Sequence, residues 1–372
     1  MQNAKPLTFA TTNRDFSVTL NKRVNEYFNQ NNISRYANSE MIIKTICMFA
    51  LYFIPYVLIT TNVITGTLAL LAMALIMGLG LAGIGLSVMH DANHGAYSKK
   101  AWVNNLIGYS LNLIGANAFN WKIQHNVLHH TYTNVHEEDE DIRPRGALRM
   151  TPHADWKQIH RYQFIYAWFL YGMMTITWML INDFSRIVRY QKNGLVQKHK
   201  ASLTREWTIL IASKLLYIGY IFVIPMLFSS LAWWHIIIGI VIMQYVAGFI
   251  LAIIFQPAHV IEGTEFPLPD SSNTLENNWA IHQLLTTTNF GNNSRWFSWY
   301  VGGLNFQIEH HLFPNICHVH YRNIAGIVKE TAHEFNLPYK SARTFMNALA
   351  GHAKLLKQLG RRPELTTALV NI

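Results

Sequence analysis

Two long stretches of the 372-residue chain contain no Asp, Glu, Lys or Arg, and they limit the fold more than any other feature. The first covers residues 45–89 and the second covers residues 215–258. A helix needs about 20 apolar residues to cross a bilayer, so each stretch is long enough for two crossings. Polar residues at 60–62 and at 229–230 interrupt the stretches near their centres. Each stretch is therefore predicted to form a helical hairpin in a membrane.

The overall composition excludes several other classes of protein. Hydrophobic residues make up 51% of the chain and charged residues only 13%, whereas about 25% of residues are charged in an average soluble domain. Disordered, collagen-like and coiled-coil chains are excluded by these values. Cys47 and Cys317 are too few for a disulfide scaffold. The N-terminus lacks the apolar core of a secretory signal peptide, and no nucleotide-binding motif occurs.

The positions of Lys and Arg predict the orientation of the hairpins. The two hairpin tips contain none of these residues, and the segments outside the hairpins hold nearly all 30 of them. Because cytoplasmic loops carry the excess of Lys and Arg, both termini and the long middle segment are expected in the cytoplasm. The net charge of +10 then indicates a lipid bilayer with anionic headgroups as partner, and no nucleic acid.

Two further charge-free stretches are predicted to lie at the cytoplasmic interface. Residues 102–121 contain five asparagines, and residues 162–182 are rich in Trp and Tyr, which favour the interface. A crossing by residues 162–182 would also place the chain after the second hairpin on the opposite side from the chain after the first.

Eight of the 18 histidines lie in four short motifs at or near the hairpin exits. They are His90 and His94 in HDANH, His125, His129 and His130 in HNVLHH, His259 in FQPAH, and His310 and His311 in QIEHH, which begins at Gln307. Spacings of three or four residues place side chains on one face of a helix. Because imidazole is the commonest metal ligand in proteins, the motifs predict a metal centre on the cytoplasmic side.

The number of histidines favours two metal ions. Zinc takes about four ligands, so eight imidazoles would serve two ions, and imidazole itself suits zinc, copper, iron and nickel alike. Soluble di-iron bundles use pairs of Glu-x-x-His motifs, but only Glu330–His333 has a helix-like context here. A ferritin-like site is therefore excluded. The acidic run at 137–141 would offset the charge of two divalent cations or orient the imidazoles, but most of its members are interpreted as a solvated loop.

HDANH, HNVLHH and QIEHH, in this order around two hydrophobic hairpins, are similar to the motifs of the membrane fatty acid desaturase family. The resemblance covers roughly residues 40–325. It implies an all-α integral membrane fold, with four transmembrane helices in two hairpins and a cytosolic helical cap that holds a histidine-ligated di-iron centre. The implied divisions are a cytosolic N-terminal segment (1–40), a membrane desaturase domain (41–325, with hairpins at about 43–89 and 208–258) and a cytosolic helical segment (326–372).

The resemblance also implies an oxidoreductase that uses O2 and two electrons to introduce a cis double bond into a fatty acyl chain. The acyl chain would be bound to a lipid, to CoA or to a carrier protein. Two iron ions would be the cofactors, with no catalytic residue beyond their ligands. The implied ligands are His90, His94, His125, His129, His130, His310 and His311, with His259 as the additional histidine after the fourth membrane helix.

The glutamine that opens GGLNFQIEHHLFP resembles the front-end branch, whose members insert a double bond between an existing one and the carboxyl end. Gln307 stands where many relatives carry histidine, so it would bind iron directly, hold a water or not be a ligand. Many front-end enzymes carry a fused cytochrome b5 with an HPGG motif, which does not occur here. A separate ferredoxin-type protein or cytochrome b5 is thus the expected electron donor. A bacterial inner membrane is the expected location, or the endoplasmic reticulum in a eukaryote.

Polar residues beside the motifs are expected to orient the ligands, because ligating histidines usually donate their second N–H to a carboxylate or carbonyl. These candidates are Asp91, Asn93, Asn134, Asp141, Asn305 and Glu309. The front-end resemblance further implies substrate contacts by Trp279, Gln283 and Asn289. The remaining histidines near the motifs (His136, His282, His318 and His320) are interpreted as surface or supporting residues, and His153, His160, His199, His333 and His352 as ordinary polar positions.

Three alternatives compete with an acyl desaturase. A lipid hydroxylase or a sphingolipid desaturase would use the same fold and ligands. A metal transporter would place polar ligands at the bilayer midplane, where both hairpins are free of charge. A bis-histidine haem protein needs histidines deep within the spans, and only His235 approaches such a position.

Overall fold

A computed structural model describes residues 7–143 and 146–363 of the chain. Residues 1–6 and 364–372, at the ends of the predicted N- and C-terminal segments, lie outside the described residues. Short strands pair in parallel, Thr8–Phe9 (β1) with Thr274–Leu275 (β2), and Asn289–Phe290 (β3) with Ser341–Ala342 (β4). All other regular structure in the described residues is helical.

The helices of the first half are α1 (Asp15–Gln30), α2 (Ser39–Thr60), α3 (Thr67–Gly83), α4 (Met89–Asn93), α5 (Ala101–Gly108), α6 (Ser110–Leu113), α7 (Ala118–Trp121), α8 (His130–Tyr132), α9 (Gln163–Gly172) and α10 (Met174–Thr177). Those of the second half are α11 (Asp183–Lys192), α12 (Leu195–Lys198), α13 (Leu203–Ile218), α14 (Ile224–Phe228), α15 (Trp233–His259), α16 (Trp279–Thr286), α17 (Arg295–Tyr300), α18 (Gln307–Leu312), α19 (Tyr321–Glu334) and α20 (Phe345–Leu359). Wider π-helical turns occupy Ile84–Val88, Lys122–His129, Trp178–Asn182 and Gly219–Val223, and 3-10 turns occupy Gln158–Tyr162 and His318–His320.

Four helical segments are long and apolar enough to cross a membrane, which confirms the predicted pair of hairpins. They are Ser39–Thr60, Thr67–Asn93, Leu203–Phe228 and Trp233–His259. The first and third begin before the expected positions of about 43 and 208, because their first turns include charged residues. Lys44, in the second turn of the first span, is only 1% exposed and donates to the Nε2 atom of His318 at 2.6 Å. His318 of the cap therefore provides a hydrogen-bond partner for this buried ammonium group.

The two hairpin tips are joined by one side chain. The first helix ends at Thr60 and the third at Phe228, next to the predicted breaks. The amide of Asn62 donates to the carbonyl of Phe228 at 3.0 Å and accepts from the backbone N–H of Ser230 at 2.5 Å. Asn62 has a φ of 60°, a left-handed conformation that Asn tolerates better than most residues. The tips are therefore held together on the side away from the histidines.

Helix α3 packs tightly between α2 and α15, and glycine permits the close approach. A Cβ atom at Gly78 would lie 2.9 Å from the carbonyl oxygen of Met243, and one at Gly80 would lie 2.6 Å from the backbone nitrogen of Tyr52. Both distances are shorter than van der Waals contact. Backbone-to-backbone packing of this kind is typical of membrane helices, which lack a strong hydrophobic driving force toward one another.

A bent pair of helical segments, Gln158–Gly172 and Met174–Lys192, also has the apolar character of a span but bends by 58° at Met173. Helix α9 packs against α15, where a Cβ atom at Gly248 would lie 2.7 Å from the carbonyl of Gly172. The second and fourth spans end in one histidine cluster, described below, so an even number of crossings must separate them. The bent pair is therefore not a fifth crossing.

The cap is built on amphipathic helices. Phe16, Leu20, Val24 and Phe28 recur every four residues along α1 and are each at most 4% exposed. They form one apolar stripe, as expected for a helix with a single buried face, and pack with residues of α16, α18 and α19. This packing holds the QIEHH helix, α18, in the centre of the cap.

Candidate metal centre

The structure brings all eight motif histidines together. Helix α4 and the residue after it carry two of them, the π-helical turn and α8 carry three, the last residue of α15 is the sixth, and α18 carries two. Seven of the eight rings are at most 4% exposed, and His94 is half-buried. The hairpin exits and the cap thus supply ligand-type side chains to one enclosed volume.

Ring nitrogens of His90, His94, His125 and His310 form the first group, in which the atoms lie within 4.8 Å of one another. The Nε2 atoms of His90 and His125 are 3.2 Å apart. Two nitrogens that bind one ion at about 2.0–2.1 Å are separated by roughly 3 Å. The first group therefore has the spacing of a metal site.

A second group contains His129, His259 and His311, and a third group contains His130, His310 and His311. The third group links the other two, since it shares a histidine with each. The Nε2 atom of His130 lies 2.9 Å from that of His310. The eight imidazoles therefore belong to three groups that are linked by shared histidines.

Unpartnered buried nitrogens test whether this cluster fits metal ions. His94 Nε2, His259 Nε2 and His311 Nε2 have no hydrogen-bond partner although they are buried, and an unsatisfied buried polar atom costs about 1–3 kcal/mol. Burial also holds the pKa of His125, His130, His310 and His311 well below the usual value for histidine. Burial therefore favours the neutral form of these four rings, which is the form that binds metal, and the unpartnered nitrogens fit a metal centre.

Partners on the far side of the rings fix their orientation. His311 Nδ1 donates to Gln283 Oε1 at 2.8 Å, and His310 Nδ1 lies 3.2 Å from the hydroxyl of Tyr321. His129 Nδ1 lies 3.1 Å from Asp139. Hydrogen bonds of this kind set the tautomer of a ligating histidine and direct its other nitrogen toward the metal.

The interpretation of the acidic run as a solvated loop is wrong for two of its members. Asp139 is 0% exposed and Glu140 is 3% exposed. Glu140 lies 2.5 Å from Arg189 and accepts from the hydroxyl of Tyr190 at 3.0 Å. Asp139 contacts His129, so the orienting role considered for this run, which was assigned by residue only to Asp141, also belongs to Asp139.

Three of the residues expected to support the ligands lie against the cluster. Asp141 is 3.4 Å from His129 Nδ1. Asp91 accepts from His318 Nδ1 at 2.8 Å and is 3.7 Å from His90 Nδ1. Asn134 donates to the backbone carbonyl of His259 at 2.8 Å, and it therefore fixes the chain rather than the ring.

The other three expected supporting residues make hydrogen bonds away from the imidazoles. Asn93 donates to the carbonyl of Gly108 and Asn305 donates to Ser298. Glu309 accepts from Asn289 at 2.8 Å and from the hydroxyl of Tyr339 at 2.9 Å. The structure does not bring these side chains to a ring nitrogen.

Gln307 is fully buried, and neither atom of its side-chain amide makes a hydrogen bond of regular geometry within the described residues. It lies beside the ring of His259, with which it interacts. A buried amide without a partner is rare in folded proteins. This position suits either direct coordination by the amide oxygen or contact with a metal-bound water.

The three residues expected to contact substrate form hydrogen bonds to the segments that carry the ligands. Trp279 Nε1 donates to the carbonyl of His130 at 3.0 Å, and Gln283 holds His311 as described above. Asn289 accepts from the backbone N–H of Ile308 at 2.9 Å. None of the three lines the cavity described below.

Two histidines interpreted as ordinary polar positions are buried, which corrects that interpretation. His352 is 0% exposed and His160 is 2% exposed. His352 donates from Nδ1 to the carbonyl of Val260 and accepts from the hydroxyl of Tyr171 at Nε2. It therefore fastens α20 to α9 and to the end of α15. His153, His199 and His333 are exposed, as expected.

A cavity of about 280 Å³ begins at the histidine cluster. His125 and Asp141 line one end, and the ring of Phe255 lies 5.9 Å from that of His125 and 6.0 Å from that of His90. Leu81 and Leu251 belong to its apolar walls, and the rest of the lining comes from α3, α15, the bent pair and residues between positions 111 and 150. The cavity thus extends from the cluster between the membrane helices, as a site for a long apolar chain would.

Comparison with known proteins agrees with this geometry. Residues 65–343 match the fatty acid desaturase family. The chain is 35% identical over 355 residues to the sn-1 linoleoyl-lipid 6-desaturase of Synechocystis sp., with 94% of this chain and 97% of that protein covered. It is 38% identical over 354 residues to the acyl-lipid (8-3)-desaturase of Physcomitrium patens, covering 94% of this chain and 72% of that protein.

The fold and the histidine cluster define a multi-pass membrane oxidoreductase with a metal centre. The chain belongs to the fatty acid desaturase family, and it introduces double bonds into acyl chains. The sequence-based predictions of the family, of the helical membrane fold and of a front-end acyl desaturase are therefore confirmed.

Proposed function

We propose that this enzyme desaturates the acyl chain of a membrane lipid, at a position between an existing double bond and the carboxyl end. The observation that carries the proposal is the junction of a buried eight-histidine cluster with an apolar cavity between membrane helices. Two relatives that cover most of the chain act, by their names, on linoleoyl lipids at carbon 6. A lipid-bound substrate suits a cavity whose mainly apolar walls include membrane helices, because the acyl chain then moves from the bilayer into another apolar environment.

Two iron ions are the proposed cofactors. His90, His94, His125 and His310 would hold one ion, while His129, His259 and His311 would hold the other, with His130 between them and Gln307 beside His259. When bound, the iron pair activates O2 and supplies the oxidant that attacks an unactivated methylene group. The two hydrogens from the acyl chain, two electrons and two protons together reduce O2 to two molecules of water.

The protein's own residues contribute position and exclusion of water. Asp139, Gln283 and Tyr321 hold the imidazoles in fixed orientations. The cavity walls order the acyl chain, so that two particular carbons lie beside the cluster. Because the chain is already positioned when it reacts, the entropic part of the activation barrier is lower. The narrow apolar wall near Phe255 also keeps bulk water from the reacting carbons.

We further propose that the centre and both ends of the chain face the cytoplasm, with electrons supplied by a separate ferredoxin-type protein or cytochrome b5. The absence of Lys and Arg from the hairpin tips supports this orientation. The bent pair carries Arg186, Arg189 and Lys192 at the end of the molecule that holds the cluster. This chain has two cysteines, fewer than the four that hold an iron–sulfur cluster, which supports a separate donor.

Alanine at His125, His129 or His311 tests the proposal, with His199→Ala as the matched control because His199 is exposed and far from the cluster in sequence. Each variant is expressed in a host supplied with linoleate, and the new double bond is located by mass spectrometry. Iron per protein is measured on the purified enzyme. We expect loss of both product and iron in the three variants, unchanged accumulation in the membrane, and no effect in the control.

Three outcomes would contradict parts of the proposal. Normal product from all three variants would refute the ligand assignment. A single zinc ion in the purified protein would refute the iron pair. Hydroxylated chains in place of new double bonds would identify a lipid hydroxylase of the same fold.

A further inference from the structure

A second cavity, of about 290 Å³, follows the first along the same two helices. On the helix that begins at Thr67, residues 81–89 line the first cavity and residues 67–77 line the second. On α15, residues 244–256 line the first and residues 234–243 line the second. The second cavity is almost entirely apolar and lies toward the hairpin tips, away from the histidine cluster. The two cavities are thus arranged in series.

A layer of packed side chains, which we name the partition, separates the cavities. It consists of Met77, Leu81, Tyr217, Met243 and Gln244, all at most 4% exposed. Gln244 donates to the hydroxyl of Tyr217 at 2.6 Å, a fully buried hydrogen bond between two membrane helices. Breaking such a bond leaves polar atoms unpaired in apolar surroundings, so the pair holds the partition closed. Leu81 and Gln244 line the first cavity, and Met77 and Met243 line the second.

The depth of the first cavity can be compared with the length of an acyl chain. Phe255 lies against the histidine rings, eleven positions after Gln244 on the continuous helix α15. At about 1.5 Å per residue this is roughly 16 Å. Since three bonds of an extended chain span at most about 3.6 Å, such a depth holds roughly 13 carbons. An 18-carbon chain that reacts at carbon 6 places twelve carbons beyond that position.

We propose that the partition sets the longest acyl chain that the enzyme accepts, with the methyl end resting on Gln244 and the side chains beside it. This inference rests on the proposed function, in which the first cavity holds the acyl chain. Without the partition the two cavities become continuous. The second extends along α15 from Met243 to Trp234, which adds about 13 Å of depth, or room for roughly ten more carbons.

Truncation of the two methionines tests the inference. Met243→Ala and Met77→Ala each remove one wall of the partition from a different helix. Val241→Ala and Leu75→Ala are matched controls on the same two helices, because these side chains are 47% and 46% exposed and line neither cavity. A host expressing each variant is supplied with equal amounts of 18-carbon and 22-carbon substrates that have the same double-bond positions. The measured quantity is the ratio of desaturated 22-carbon to 18-carbon product.

We expect the ratio to rise about tenfold in both methionine variants, the scale of discrimination that one or two methylenes give in an apolar pocket. The controls should keep the wild-type ratio. A second-site change makes the test sharper. Gly239 lines the second cavity and has open space where a side chain would begin, so Gly239→Leu combined with Met243→Ala should refill the space and restore the wild-type ratio.

The remaining outcomes distinguish a failure of the role of the partition from a failure of the proposed function. Wild-type ratios in both methionine variants, or equal shifts in the two controls, would overturn the role of the partition while leaving the desaturase function intact. Absence of product from the wild-type enzyme on every chain would instead count against the proposed function. Should the alanine variants fail to accumulate, Leu81→Phe provides a second test, because the larger side chain shortens the first cavity. Preference for 16-carbon over 18-carbon chains then supports the inference, and an unchanged preference overturns it.

Discussion

The Nδ1 atom of His129 lies 3.1 Å from both carboxylate oxygens of Asp139. Asp139 is fully buried and also accepts from the backbone N–H groups of Asn134 and Asp141, each at 2.9 Å. Burial alone would lower the pKa of His129, but Asp139 and Asp141 raise that pKa to about 9. The two carboxylates therefore favour positive charge at this ring, whether a proton or a metal ion supplies it.

Asp139→Asn should weaken the metal centre without unfolding the cap. The amide keeps the size of the side chain but removes the negative charge that orients His129. Loss of such a partner typically costs 10–100-fold in metal affinity. We expect a fall of that size when iron retention is measured by dialysis against graded chelator. Glu138→Gln, in the exposed part of the same run, should retain iron like the wild type, and equal loss in both variants would contradict a specific role for Asp139.

The loop that carries Asp139 shows why part of the site could not be predicted. Asn134 and Glu137 have φ values of 59° and 67°, a left-handed conformation that is uncommon for residues other than glycine. These two residues turn the chain back, so that a carboxylate ten positions after His129 returns to its ring. Neither a helical repeat nor a strand repeat contains such a contact. Sequence spacing therefore suggested a solvated acidic run, whereas only the turn geometry reveals the buried partner.

The spans and the histidine motifs were predictable because their signals are local. Long charge-free runs indicate membrane spans directly, and spacings of three or four residues indicate side chains on one face of a helix. The position of Lys44 inside a span was harder to predict, since a charged residue usually marks the boundary of a span. Its partner His318 lies 274 positions away, and only the folded cap brings the two together. Distant pairs of this kind, like Gln283 with His311, are the part that the sequence could not supply.

Gln283→Leu tests a positioning role at the second metal group. The carbonyl oxygen of Gln283 accepts from His311 Nδ1 at 2.8 Å and from the hydroxyl of Thr133 at 2.9 Å. Leucine removes this acceptor and leaves His311 Nδ1 with only the hydroxyl of Thr133, at 3.3 Å. We expect the iron content and kcat to fall about 10–100-fold, with little change in KM, because the acyl cavity is not touched.

Gln283→Glu supplies the conservative comparison, since its carboxylate still accepts from His311. It should recover most of the iron content that the leucine variant loses. Gln191→Leu, at an exposed position of α11, serves as the control for the substitution itself. A raised KM with normal iron content in Gln283→Leu would instead identify Gln283 as a substrate contact, as the family resemblance implied.

A buried ion pair joins the third span to the bent pair. Lys214 Nζ lies 2.7 Å from Asp183 Oδ2 and also donates to the carbonyl of Gly115 at 2.7 Å, and the two charged side chains are 7% and 2% exposed. Removal of one partner leaves the other charge buried and alone, which costs about 3–5 kcal/mol. We therefore expect Lys214→Met and Asp183→Asn each to lower the free energy of unfolding by this amount in detergent.

The double variant of Lys214→Met with Asp183→Asn should lose less than the sum of the single changes, because no uncompensated charge remains. Urea titration followed by tryptophan fluorescence would measure all three. Lys192→Met, at an exposed position, provides the control. Additive losses in the double variant would show that the two charges do not stabilise each other.

Burial of His352 should make the stability of the fold depend on pH, and a single substitution should remove this contribution. Burial lowers its pKa from 6.5 to about 4, against the opposing effect of its hydrogen bond to the carbonyl of Val260. Between these two values the unfolded chain binds a proton that the folded chain excludes, so stability is full above pH 6.5 and falls as the pH drops toward 4. At pH 5 the loss of stability from this one group is about 2 kcal/mol.

His352→Gln keeps a hydrogen-bonding side chain that does not titrate. The melting temperature of this variant should therefore fall less than that of the wild type between pH 7.5 and pH 5. His333→Gln, at an exposed position, should follow the wild type, and identical pH dependence in all three proteins would show that His352 is already protonated in the folded state.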